Sequence, residues 1–172
     1  PISSDMSHMR PDLLPGLLQA AARNQARGFA DMALFEVGPA FSGGEPGEEQ
    51  IMVSGLLVGR TGPRDVHGAA RAVDVYDVKA DAEAVLAAIG APAKVQVLRG
   101  AADWWHPGRH GKVCLGPKKV LGIFGEVHPR VLAAMDVKGP AMAFTIYPAE
   151  VPLPRKSGAT RPALQISDLQ AV

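Results

Sequence analysis

Four side chains have the chemistry of a metal or acid–base site: His106, His110, Glu126 and His128. Neutral imidazoles and a carboxylate are zinc-type ligands, and such a set could activate water in a stand-alone metal-dependent hydrolase. His106 and His110 have the i, i+4 spacing of a helical ligand pair, yet Pro107 and Gly108 lie between them and argue against a helix. Glu126 and His128 are two apart and could share one strand face. The ligand set is scattered, and Cys114 is the lone cysteine. The competing reading is that His106 and His128, each followed by a proline, fix turns through side-chain hydrogen bonds.

Other groups admit a binding role beside a structural one. Arg10, Arg23 and Arg27 could meet phosphates or a partner protein; solvated charges at helix ends are the alternative, and Arg27 suits a helix C-terminus. Trp104 and Trp105 could stack a base, or they could pack. Gly43, Gly44 and Gly47 are too loosely spaced for a phosphate cradle. Asp77, Lys79 and Asp81 read as a helix-surface charge series with local pairing. A net charge of +1 with no basic block gives no support for an electrostatic nucleic-acid surface. One cysteine cannot form an internal disulfide, which fits a reducing, cytoplasmic setting. No apolar run approaches the roughly 20 residues needed to cross a bilayer.

The elements that must position these groups can be read from periodicity. A first helix is expected from Pro11 or Asp12 to Arg27, or from as late as Pro15 because Pro15 and Gly16 weaken the first turn, with Leu14, Leu17, Leu18, Ala21 and Gln25 on one face and Gly28 as the stop. Met32 to Val37 alternates as a strand, which Gly38-Pro39 should end. An acidic, glycine-rich turn over 42–49 leads to a strand from Gln50 to Val58. A second helix places Val75, Val78, Ala82, Val85 and Ile89 at steps of three and four between Asp74 and Gly90. Lys94 to Leu98 is a short strand. Lys112 to Leu115 and Val120 to Val127 form a hairpin around Gly116-Pro117. Pro129 opens a short helix, and Ala141 to Tyr147 is a last strand. Pro148, Pro152 and Pro154 then read as a stiff linker. Antiparallel strands interleaved with a few helices make this an α+β fold, an antiparallel sheet flanked by helices. A chain of 172 residues is long enough for one domain with a real core.

Four anchors, in order, resemble the beta subunit of bacterial phenylalanyl-tRNA synthetase. They are Pro1-Ile2-Ser3-Ser4-Asp5 with Met9-Arg10-Pro11-Asp12-Leu13-Leu14-Pro15-Gly16-Leu17-Leu18 and Leu34-Phe35-Glu36-Val37-Gly38; Asp74-Val75-Tyr76-Asp77-Val78-Lys79-Ala80-Asp81; Trp105-His106-Pro107-Gly108-Arg109; and Leu121-Gly122-Ile123-Phe124-Gly125-Glu126-Val127-His128-Pro129. The resemblance implies a class II aminoacyl-tRNA synthetase-like core. It also implies that the helix and strand opening that core lie upstream of Pro1, leaving apolar surface uncovered. Residues 1–147 would be this core and 148–172 a proline-rich linker toward a following domain. The abrupt start at Pro1 and the end at Val172 read as those of a piece of a longer chain.

The same resemblance implies where catalysis would need cations. Active class II enzymes carry an arginine for the ATP α-phosphate after the strand that ends here at Phe41, and a second after the last strand. A planar guanidinium meets the charge developing on phosphorus with two hydrogen bonds and never loses its proton. Ser42-Gly43-Gly44 and Pro148-Ala149-Glu150 stand at those places. Losing one such donor typically costs about 3–4 kcal/mol of transition-state stabilisation, so this core is expected to be catalytically silent and to hold no cofactor. By the resemblance, ATP and Mg2+ serve the alpha subunit, which this core would support in an (αβ)2 assembly that charges tRNA(Phe). Catalytic and metal residues are therefore expected to be none, and Arg10, Trp105, His106, Arg109 and His128 are expected to be structural or subunit-interface residues. A metal-dependent hydrolase and a tRNA-binding module remain the rival readings.

Overall fold

In a computed structural model, residues 8–62, 66, 68, 70–100 and 102–152 are described. The Pro1–Asp5 anchor and all but the first five residues of the expected linker lie outside them. The order is α1 (Leu14–Ala26), β1 (Met32–Phe41), β2 (Glu49–Val58), α2 (Val75–Ala88), β3 (Gln96–Leu98), β4 (Trp105–Leu115), β5 (Lys119–Val127), α3 (Pro129–Ala134) and β6 (Ala141–Ile146), then a 3-10 turn, Pro148–Glu150. The six strands of the described residues join one antiparallel sheet in the order β1-β2-β6-β5-β4-β3.

The last strand among the described residues lies in the middle of the sheet. β6 is buried at every position, and its side chains alternate between two cores. Ala141 and Ala143 face α1 and α3, where Leu14, Leu17, Leu18, Ala21, Leu56 and Val58 pack. Met142, Phe144 and Ile146 face α2, against Val78, Ala82 and Leu86. Fully burying one Leu or Phe is worth about 1.5–3 kcal/mol, so helices on both faces make this strand the best-anchored element. Its one polar side chain, Thr145, shares a buried hydrogen bond of 2.9 Å with Ser54 on β2.

α2 runs close to the expected bounds because its ends are written in the sequence. The Asp74 carboxylate accepts from the amides of Tyr76 and Asp77, and the Asp77 carboxylate accepts from the amide of Asp74. Gly90 follows with φ +79°, a left-handed stop that glycine adopts at no steric cost. The buried stripe differs by one residue: Leu86 is buried, whereas Ile89 is the exposed C-cap.

Three other expectations need correction. α1 begins at Leu14, not Pro11; Pro15 takes the first-turn place, and the Asp12 carboxylate accepts from the Leu14 amide at 2.7 Å. β1 passes through Gly38-Pro39 to Phe41. It is an edge strand, so Pro39 withholds no hydrogen bond from a neighbour. β4 starts at Trp105 rather than Lys112. His106 to Arg109 form a bulge, lying between the pairs Trp105↔Val127 and His110↔Gly125 so that four residues oppose Glu126 alone.

Candidate functional site

Trp105, His106, Arg109, Glu126 and His128 meet at one corner, where the β4 bulge crosses the end of β5 and α3 begins. Arg109 makes a two-pronged ion pair with Glu126, Nε to Oε2 at 2.5 Å and an amino group to Oε1 at 3.1 Å. His106 Nδ1 accepts from the Gly108 amide at 3.1 Å, which holds the bulge closed. His128 Nδ1 accepts from the Arg130 amide at 3.1 Å and so caps α3, while the His128 amide donates to the Trp104 carbonyl. His110 Nδ1 lies 2.6 Å from the His106 carbonyl oxygen. Each imidazole therefore has a local backbone partner, and the carboxylate faces a guanidinium. Among the described residues, no three His, Cys, Asp or Glu side chains gather in a way that could hold a metal ion.

Trp105 points inward and is only 3% exposed, packed in the α1–α3 core, and its indole N–H meets no acceptor among the described residues. Neighbouring Trp104 is half out, at the edge of an apolar groove between α1 and α3. Arg10 lies outside this corner, beside the edge strand β1, where its carbonyl accepts from the Phe41 amide. Its guanidinium lies across Gly38, donating to the Pro39 carbonyl at 2.9 Å and pairing with Glu36. A Cβ at position 38 would lie 2.6 Å from that guanidinium, which is why glycine suits the strand there. Glu36 was not among the sequence-derived candidates, although a lone carboxylate in an otherwise apolar strand is its signal.

Both places where a phosphate-gripping arginine is expected carry acidic turns. After Phe41, the Ser42 amide and hydroxyl donate to the Glu48 carbonyl, and the Glu45 amide donates to the Glu48 carboxylate. After β6, Pro148–Glu150 forms a single tight turn, with Glu150 facing Lys119 at 3.7 Å. Between them, the α1-side face of β2 and β6 is filled by the apolar core and the Ser54–Thr145 pair, so no cleft opens there.

The perturbed titrating groups lie elsewhere. Arg71 holds the Asp77 carboxyl below its ordinary range, through a two-pronged hydrogen bond. Burial, then the charge of Asp77, pushes Asp81 up. Burial also raises Asp12, and burial with the Asp12 charge raises Tyr147.

Comparison with known proteins agrees with the geometry. The chain is 79% identical, over all 172 residues, to the phenylalanine–tRNA ligase beta subunit of Ruegeria pomeroyi, 69% to that of Cereibacter sphaeroides and 49% to that of Rhodospirillum rubrum. It covers 22%, 21% and 22% of those proteins, so it spans about a fifth of their length. Among solved structures, the pyrrolysyl-tRNA synthetase of Desulfitobacterium hafniense superposes with a TM-score of 0.59 at 17% identity, over 80% of this chain and 46% of that one. That likeness shows the fold, a class II synthetase-like core. The family described as phenylalanyl tRNA synthetase beta chain CLM domain matches residues 1–147, and the chain belongs to it.

Proposed function

We propose that this chain is the non-catalytic core of a phenylalanine–tRNA ligase beta subunit. It supports the alpha catalytic subunit in an (αβ)2 assembly in the cytoplasm. The assembly esterifies phenylalanine to tRNA(Phe), with ATP and Mg2+ used at the alpha subunit. Family membership favours this reading. The observation that carries it is the pair of acidic turns at 42–48 and 148–150, where a nucleotide's phosphates would need cations. Glu45 and Glu48 in the first turn would repel a triphosphate, and in the second Glu150 takes up the charge of Lys119. In the same reading, residues 1–147 are the core and 148–172 a linker.

Arg10, Trp105, His106, Arg109 and His128 then serve the scaffold. Arg10 locks the edge strand, Trp105 fills the α1–α3 core, and the other three fix the β4–β5–α3 corner. No helix among the described residues is long and apolar enough to cross a membrane.

Co-expression of the full-length beta chain with the alpha subunit tests the reading. The two should co-purify, and the beta chain alone should not exchange pyrophosphate into ATP in the presence of phenylalanine. Exchange by the beta chain alone, or failure of the two to associate, overturns it. Stoichiometric zinc in the purified chain would favour a hydrolase instead.

A further inference from the structure

Charge is divided unevenly along the chain. Residues 31–90 hold ten acidic and four basic side chains, whereas residues 94–130 hold two acidic and seven basic ones. A net charge of +1 thus hides two parts that carry −6 and +5. The topology keeps them apart: the acidic part builds β1, β2 and α2, the basic part builds β3, β4 and β5, and β6 separates the two sets of strands. In the sequence the basic residues form no run longer than Lys118-Lys119. Strand pairing is what gathers them.

They concentrate along the β3–β4 edge. β3 is the outer strand and is exposed at every residue. Lys112 pairs with Leu98, and its amino group lies 3.9 Å from where a Cβ on Gly100 would stand, next to Arg99 in the chain. Lys94 comes two residues before Gln96, the partner of Cys114, and Lys118 stands in the turn after β4, at the same end of the pair. The five steps from Lys94 to Arg99 span about 17 Å of extended chain at roughly 3.3 Å each. Among the described residues these four cations have no side-chain hydrogen bond or ion pair, whereas neighbouring Lys119 faces Glu150 and Arg109 holds Glu126. No Asp or Glu occurs in 91–102 or 110–125.

Lysines on an edge strand can serve only to deter pairing with stray strands. That role does not account for Lys118, which lies in a turn, or for a surplus of positive charge spread over three strands. A row of free cations with no acid beside it suits a polyanion, and this length faces several phosphates of one nucleic-acid strand. The acidic β1–β2 side would turn an approaching polyanion toward this edge. We propose that the β3–β4 edge is a contact surface for the sugar–phosphate backbone of the tRNA, with Lys94, Arg99, Lys112 and Lys118 each meeting a phosphate. Contacts of this kind fix the position of an RNA and read no sequence. The inference rests on the reading of this chain as part of a tRNA-charging assembly.

The test uses the full-length beta chain co-purified with the alpha subunit. Lys94→Gln, Arg99→Gln, Lys112→Gln and Lys118→Gln are combined, and tRNA(Phe) affinity is measured over a salt series. Each phosphate contact adds about 0.7–0.9 to the slope of log K against log salt, so the slope should flatten by about 3 and low-salt affinity should fall at least about tenfold. Pyrophosphate exchange with phenylalanine and ATP, without tRNA, should be unchanged. Flattening by less than about one contact's worth overturns the proposal. Acetylation of lysines in the wild-type assembly gives a second readout that needs no variant. Bound tRNA should slow modification of Lys94, Lys112 and Lys118 severalfold and leave Lys79, paired with Glu83 on α2, unchanged. Equal rates with and without tRNA overturn the proposal. So does shielding of the three lysines in the tRNA-free assembly, which would mark a protein contact instead. Wild-type subunits that bind no tRNA(Phe) would sink the parent reading and this inference together; tRNA binding that ignores the four substitutions sinks this inference alone.

Discussion

Phe35 and Phe144 belong to one cross-strand row, with Gly55 between them and Phe124 beyond. The two rings have the same chemistry and point from the same face of the same sheet, yet one is 79% exposed and the other 6%. The difference lies in what covers them. Phe144 sits beneath α2 and is flanked by strands on both sides, whereas Phe35 stands on an edge strand past the reach of that helix. Apolar character in a strand therefore records that burial is intended, and the covering element decides whether this piece of chain supplies it.

The comparison can be broken most sharply by truncating the two rings. Phe144→Ala should cost about 3–5 kcal/mol in urea unfolding of the 172-residue chain. Phe35→Ala should change stability by no more than about 0.5 kcal/mol. Equal losses would mean that the bare half of the sheet is covered after all. Gly55→Ala should come next, at about 1–3 kcal/mol, because the new methyl would lie 2.3 Å from the Phe144 ring and push it toward α2.

Asp74→Ala removes the capping carboxylate of the helix that makes the covered half, and should cost about 1 kcal/mol by the same measurement. Asp77→Asn should show chiefly in the pH dependence of stability. Arg71 depresses the folded-state pKa of Asp77, so this contribution is present above the unfolded carboxyl pKa and is lost as pH falls through the folded one. The substitution should flatten the acid limb of stability against pH and leave the alkaline limb unchanged. A steeper acid limb would contradict the assignment.

How much could be read in the sequence differed between the same two regions. α2 was legible nearly end to end, because its cap, its three-and-four spacing and its glycine stop are all local. β1 was cut short at Pro39, because only its place at the sheet edge makes a proline tolerable, and edge position is a property of the assembled sheet. The first half of β4 does not show as a strand in the sequence, since His-Pro-Gly-Arg has turn chemistry and a bulge uses the same chemistry inside a strand. Ile89 was preferred to Leu86 because both fit the helical period; the actual position of the helix on the sheet decides between them. For the candidate site, the hydrogen-bonding roles of His106 and His128 followed from the proline after each. The Arg109–Glu126 pair did not, because the bulge that aligns them is invisible in the spacing. The anchors shared with the beta subunit family identified the chain more firmly than any single side chain.

β6 is the last of the sheet's strands in chain order among the described residues, and it is the one sealed by helices above and below and by strands on either side. Its amides have no local route to solvent, so deuterium can reach the interior positions only when the entire domain opens. Their uptake is thus a clock for global unfolding, against which the fraying of every outer strand can be timed.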